Sequence, residues 1–264
     1  MHQPGKKGFF PLHVACQNGH TEVALMLMNQ VDNINQTNKR RAPPFYVACQ
    51  NGHQEIAQRL IDRGADINQA NEDGSTPLYM ACQNGHREIV QLLIDQEADV
   101  NQLTKDGCNP LHVASANGHE TIVKILIGAG ADVNCANKNG NTPCYMACQE
   151  GREQIVQLFL NIGVNVHQAN KKRATLLCVA SQCGREQVVK MLIERGADVN
   201  QANESGNTPL HMASQYGYEK IAELLIDARA DVNRANAVGA RPLAFARYMK
   251  RQKIEVILLA AGAK

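Results

Sequence analysis

Tryptophan is absent from this 264-residue chain, and aromatic residues make up only 4% of it. That composition fits many small cores of Leu, Ile, Val and Ala better than one core centred on aromatic rings. No apolar run approaches the ~18 residues that a membrane-spanning helix requires. The opening Met1-His2-Gln3-Pro4-Gly5-Lys6-Lys7 has no apolar signal region, so the chain reads as soluble. A formal charge of +2 gives no bulk reason to expect nucleic acid or a membrane as partner. Also missing are a glycine-rich phosphate loop, a nucleophile elbow and a His-Glu-x-x-His metal motif. The expectation is therefore a non-enzyme without cofactor or metal.

What is present is repetition. Pro11, Pro44, Pro77, Pro110, Pro143, Pro209 and Pro242 recur at a spacing of 33 residues, with Leu176 in the one vacant slot, which makes eight units without insertion. Thr208-Pro209-Leu210-His211-Met212-Ala213 opens one unit, and Pro110-Leu111-His112-Val113-Ala114 opens another less completely. Gly-Ala-Asp-Val-Asn closes units at Gly130 to Asn134 and at Gly196 to Asn200. A fixed period of this length has to be settled before any residue is given a role. On these residues the chain resembles the ankyrin repeat family from about Gly5 to Gly262. The resemblance implies an all-α ankyrin-repeat solenoid of helix-turn-helix units joined by projecting β-turn fingers. The whole of 1–264 is expected to form a single ankyrin-repeat domain, each unit touching only its neighbours.

Local chemistry agrees. Thr76, Thr142 and Thr208 can cap a helix, and the proline that follows suits its first turn. Gly19, Gly52, Gly85, Gly118, Gly151, Gly184 and Gly217 stop that helix. A second apolar stripe, Ile89, Val90, Leu92, Leu93 and Ile94, recurs as Ile122, Val123, Ile125, Leu126 and Ile127. Cys16, Cys49, Cys82 and Cys148 share one column with Ser115, Ser181, Ser214 and Arg247. Packed helices lie ~8–10 Å apart, too far for a disulfide at a Cα separation of ~7 Å. A small residue in a reducing compartment explains the column, and the cytoplasm, with the nucleus or a host cytosol as alternatives, is the expected location. His20, His53, His86 and His119 lie one per repeat, whereas zinc needs ligands that converge on one point. By the resemblance their role is structural hydrogen bonding.

Departures from the pattern carry the rest. Val31, Glu97 and Arg229 stand where Gly64, Gly130, Gly163 and Gly196 end the second helix, and a left-handed turn there costs about 1 kcal/mol without glycine. In unit eight Arg247 replaces the small Cys or Ser, Lys250 and Arg251 replace Gly-His, and Glu255 replaces Val or Ala, as in a polar cap. Whether the chain is a piece of a longer protein stays open.

In the ankyrin family, partners bind the concave surface of finger tips and first helices. The eight tips here together carry +6 on a chain of +2. Lys6 and Lys7 open the series. Lys39-Arg40-Arg41 and Lys171-Lys172-Arg173 stand out because arginine replaces the turn glycine, and Lys138 adds to them. Gln50, Gln83, Gln149 and Gln182, with neighbouring asparagines, form a column of amides facing the groove, and Tyr216 breaks it with an aromatic anchor. These residues predict a monomeric protein-interaction scaffold that holds an acidic or polar segment of another protein. Two other readings stay open: recognition of a polyanion, nucleic acid or anionic lipid head group, by the basic fingers, and a structural module of a larger assembly such as a bacterial effector in a host cell. Structural drift would also account for the two arginine fingers.

Overall fold

The computed structural model describes residues 10–264, so the first finger, Lys6-Lys7-Gly8, lies outside the described residues. The described residues hold sixteen helices in pairs, one pair per repeat. Their one β pairing is an isolated bridge between Ala169 and Thr175. Two compact units divide the chain, the first through Cys135 and the second from Ala136 to Lys264.

In the first unit the inner helices are α1 (Pro11–Asn18), α3 (Pro44–Asn51), α5 (Pro77–Asn84) and α7 (Pro110–Asn117). The outer helices are α2 (Thr21–Met28), α4 (Gln54–Ile61), α6 (Arg87–Asp95) and α8 (Glu120–Gly128). In the second unit α9 (Pro143–Glu150), α11 (Leu176–Gln182), α13 (Pro209–Tyr216) and α15 (Pro242–Tyr248) are inner. Their outer partners are α10 (Glu153–Asn161), α12 (Glu186–Glu194), α14 (Glu219–Asp227) and α16 (Gln252–Ala260). Within each unit inner helices pack on inner and outer on outer, the inner rows more closely.

Helices this short are marginal alone, so their stability comes from burial and from caps. Thr76 Oγ1 accepts from Tyr79 N–H at 3.1 Å, and Thr142 Oγ1 from Tyr145 N–H at 3.3 Å. Phe10 and Pro43, which replace threonine, begin their helices without a side-chain cap. The column of Cys16, Cys49, Cys82 and Cys148 is fully buried, as are Ser115, Ser181 and Ser214. No disulfide joins the cysteines.

The glycine after each inner helix answers to two constraints. Gly52 and Gly85 have φ of 81° and 78°. In addition, a Cβ on Gly52 would stand 2.7 Å from the His86 ring, and one on Gly85 2.6 Å from His119. Each imidazole lies over the preceding repeat's glycine and reaches a carbonyl there: His53 to Gln17 O at 3.1 Å, His86 to Gln50 O at 3.0 Å, His119 to Gln83 O at 3.1 Å. In the second unit Arg185 Nε donates to Gln149 O at 2.9 Å and Arg251 Nε to Gln215 O at 3.3 Å from the same position. The column therefore requires a flat donor rather than histidine.

At the outer turn, Glu97 and Arg229 are left-handed, with φ of 61° and 68°, and after the last inner helix Lys250, in the place of glycine, has φ of 56°. Val31 corrects the sequence reading: it does not adopt positive φ. A β-branched side chain resists that region. In unit eight Arg247 Nε donates to Glu255 Oε1 at 2.7 Å, so two of the departures are partners. The remainder of that face is less polar than expected, since Tyr248 and Leu259 are exposed.

Candidate partner-binding surface

Fingers two and six are tight turns held by an asparagine at the base. In finger two the Asn38 side-chain oxygen accepts from Arg40 N–H at 2.9 Å and Ala42 N–H at 3.1 Å, while Arg41 N–H donates to Asn38 O at 2.9 Å. Finger six repeats this: Asn170 Oδ1 accepts from Lys172 and Ala174 N–H, both at 3.0 Å, and Arg173 N–H donates to Asn170 O at 2.8 Å. The turn forces its third tip residue to positive φ, and Arg41 and Arg173 take it up at 60° and 57°.

At the glycine fingers the approach of the next finger varies: a Cβ on Gly239 would meet nothing within 4 Å, and one on Gly74 would stand 3.1 Å from its nearest neighbour. It would stand 2.7 Å from Lys171 N at Gly140 and 2.5 Å from Ala237 N at Gly206. The adjoining finger nevertheless stays attached in the arginine cases, by Glu72 N–H to Arg40 O at 2.9 Å and Glu204 N–H to Lys172 O at 2.8 Å. The conformation that suits glycine is thus imposed on arginine, with the adjoining finger bonded to it through the backbone.

Lys39, Arg40, Arg41, Lys138, Lys171, Lys172 and Arg173 are all exposed. Among the described residues no ion pair engages Arg40, Arg41, Lys171, Lys172 or Arg173. In the first unit the tip overhangs a groove of about 620 Å³ whose lining includes Gln17, Lys39, Arg40, Tyr46, Gln50, Asn51 and Asn71. The structure therefore brings Lys39, Arg40 and Gln50 together at one site. Gln83 is exposed on the next inner helix and does not line this groove.

Tyr46 and Asn71, which sequence reasoning did not single out, form the polar base: Asn71 Nδ2 donates to Tyr46 Oη at 3.0 Å. Burial, reinforced by Asp73, pushes the Tyr46 hydroxyl up to about 12, against the opposing Asn71 hydrogen bond and Arg40 charge. It stays protonated at neutral pH. Asparagine recurs at the base as Asn38, Asn71, Asn137, Asn170, Asn203 and Asn236, and that column was the available signal.

The amide column is narrower than the sequence implies. Asn18, Asn51 and Asn117 donate back to Val14, Val47 and Val113 O at 2.8–3.0 Å, and Asn84 to Gln50 O at 2.8 Å. The asparagine amides are thus spent on helix ends, and the glutamines remain. In the second unit Gln182 is exposed, whereas Gln149 is half-buried and donates to Glu150 Oε1 at 3.0 Å. Tyr216 is 38% exposed and stacks on Tyr218, ring centroids 6.2 Å apart. Tyr218 itself lies over Gly184, in the place other repeats give to histidine or arginine. The described residues hold no cluster of His, Cys, Asp and Glu able to bind a metal, and none of their helices is long and apolar enough to cross a membrane.

A family model described as ankyrin repeats, in three copies, matches the chain over residues 1–71, 45–137, 121–203 and 165–236. No curated protein matches it.

Proposed function

The chain belongs to the ankyrin repeat family, and we propose from that premise that it is a non-enzymatic scaffold that holds an acidic segment of another protein against its basic fingers. Ankyrin repeats are in general protein-protein interaction modules. The observation that carries the finer reading is the pair of arginines, Arg41 and Arg173, held at positive φ with exposed side chains and no ion pair among the described residues. Backbone strain of this kind persists where the surroundings impose it, and it concentrates at binding surfaces. Beneath finger two, Gln50 and Gln17 offer amides to a bound backbone while Lys39 and Arg40 offer charge.

Selection of random twelve-residue peptides on the immobilised protein tests this reading. Enriched sequences are expected to be rich in Asp and Glu and to lose affinity on reversal of Lys39, Arg40 and Arg41, or of Lys171, Lys172 and Arg173, to glutamate. Exposed ion pairs contribute ~0–1 kcal/mol each, so a triple reversal should weaken binding by about tenfold to a hundredfold. Peptides without acidic excess, or peptides that bind both reversals like wild type, would sink the proposal. The same exposed cations favour one second reading, a polyanion partner. It requires that unrelated anions compete equally and that affinity fall steeply with salt.

A further inference from the structure

We infer that the chain is a duplication of a four-repeat block and that it carries two matching acidic-segment sites, one on the second finger of each block. This rests on the function proposed above and adds the number of sites and their independence.

The first observation is conformational. Among the described residues five that are not glycine have positive φ: Arg41, Glu97, Arg173, Arg229 and Lys250. Four of them form two pairs, Arg41 with Arg173 and Glu97 with Arg229, each separated by 132 residues, four repeats of 33. Drift in independent repeats has no reason to place two kinds of exception at one common spacing.

The second observation is a contact specific to the block. Arg63 Nη2 donates to Asn29 Oδ1 at 2.5 Å, and Arg195 Nη2 donates to Asn161 Oδ1 at 2.7 Å. Both donor and acceptor recur after 132 residues, and no other repeat has arginine in the one column or asparagine in the other. The third observation is that the compact units meet at Cys135 and Ala136, so each contains one copy of every feature.

The blocks also agree in charge order. A basic finger, Lys39-Arg40-Arg41 or Lys171-Lys172-Arg173, is followed by a finger beginning with Glu72 or Glu204, bonded to it through the backbone. Each unit thus presents cations on one side and a carboxylate on the other. That arrangement accepts an acidic group at the first finger and repels it from the second. Gln17 and Gln50 recur as Gln149 and Gln182, whereas Tyr46 and Asn51 become Cys178 and Cys183. The shared chemistry is the cations and the glutamines.

The test is a titration of the isotope-labelled full chain with blocked hexaglutamate at low salt, reading backbone amide shifts at both fingers, with hexaglutamine as control. About 20 Å long when extended, the peptide is sized for one site. The expected result is that the amides of Arg40 to Ala42 and of Lys172 to Ala174 both respond. Reversal of Lys171, Lys172 and Arg173 to glutamate should silence only finger six, and reversal of Lys39, Arg40 and Arg41 only finger two. The surviving site should keep its half-saturation point within about twofold, as independent sites do. A response at one finger only, or loss of both on reversing one, overturns the duplication of sites while leaving an acidic-segment scaffold. No response at either finger overturns the functional reading itself.

Discussion

Replacing Arg173 by glycine should stabilise the protein, by about as much as the same change at Arg229. A non-glycine residue at left-handed φ costs ~1–2 kcal/mol. Glycine returns ~0.4–1 kcal/mol of that advantage to the unfolded chain as added freedom. The net gain at Arg229 is therefore roughly 0.5–1 kcal/mol, because nothing crowds that turn: Gly64, Gly130, Gly163 and Gly196 have no atom within 4 Å of an added Cβ. Arg173 takes up the same left-handed region, with φ of 57° against 68° at Arg229, so the dihedral argument gives it a gain of the same size. Urea unfolding followed by far-UV circular dichroism measures both gains, with amide exchange of α11 and α13 as a local readout because repeat stability is partly local. A loss at Arg173 beside a gain at Arg229 would refute the claim that finger six is strained by its left-handed turn. The same variant should weaken binding of the acidic peptide at finger six, so that stability and binding move in opposite directions.

Three other outcomes follow from the buried columns. Cys108, Cys135 and Cys183 are half-buried while the other six cysteines are buried, and burial pushes the Cys16 thiol up to about 12 and Cys178 to about 11. A thiol reagent should therefore modify three residues first in the native protein and all nine after denaturation without reductant; fewer than nine would show a disulfide. The buried Ser115 and Ser181 hydroxyls lack a partner, whereas Ser214 Oγ donates to Leu210 O at 2.7 Å. Ser115→Cys and Ser181→Cys should each stabilise by about 1 kcal/mol and Ser214→Cys should not, which denaturant midpoints would decide. Burial lowers the pKa of His13 and His211 below 6.5, opposed by their hydrogen bonds to Ala42 and Ala240 carbonyls. The unfolded chain then binds more protons, so stability is full above about pH 7 and falls as pH drops through 6.5. His211→Tyr, the residue that Tyr46 and Tyr145 place in this column, should flatten that decline; an unchanged pH profile would contradict it.

The 33-residue period, the helix starts at proline, the glycine stops and the strain at Arg41, Glu97, Arg173 and Arg229 were all legible in the sequence. Each of these depends on chemistry within a few residues of itself: a missing N–H, a capping hydroxyl, an absent Cβ. Repetition then shows the same local answer many times over. Partnership between repeats was not legible. Arg63 finds Asn29 34 residues away, His86 finds Gln50 O 36 away, and Asn71 finds Tyr46 25 away. No spacing rule selects those pairs, because they follow from how one layer sits on the next. Arg247 and Glu255 each read as an exception until packing placed them 2.7 Å apart. For the same reason tertiary structure decided that the asparagine amides close helix ends, that Tyr218 covers a glycine, and that Lys39, Arg40 and Gln50 share one groove. The sequence determined the repeat and its exceptions, and stacking determined which of them meet.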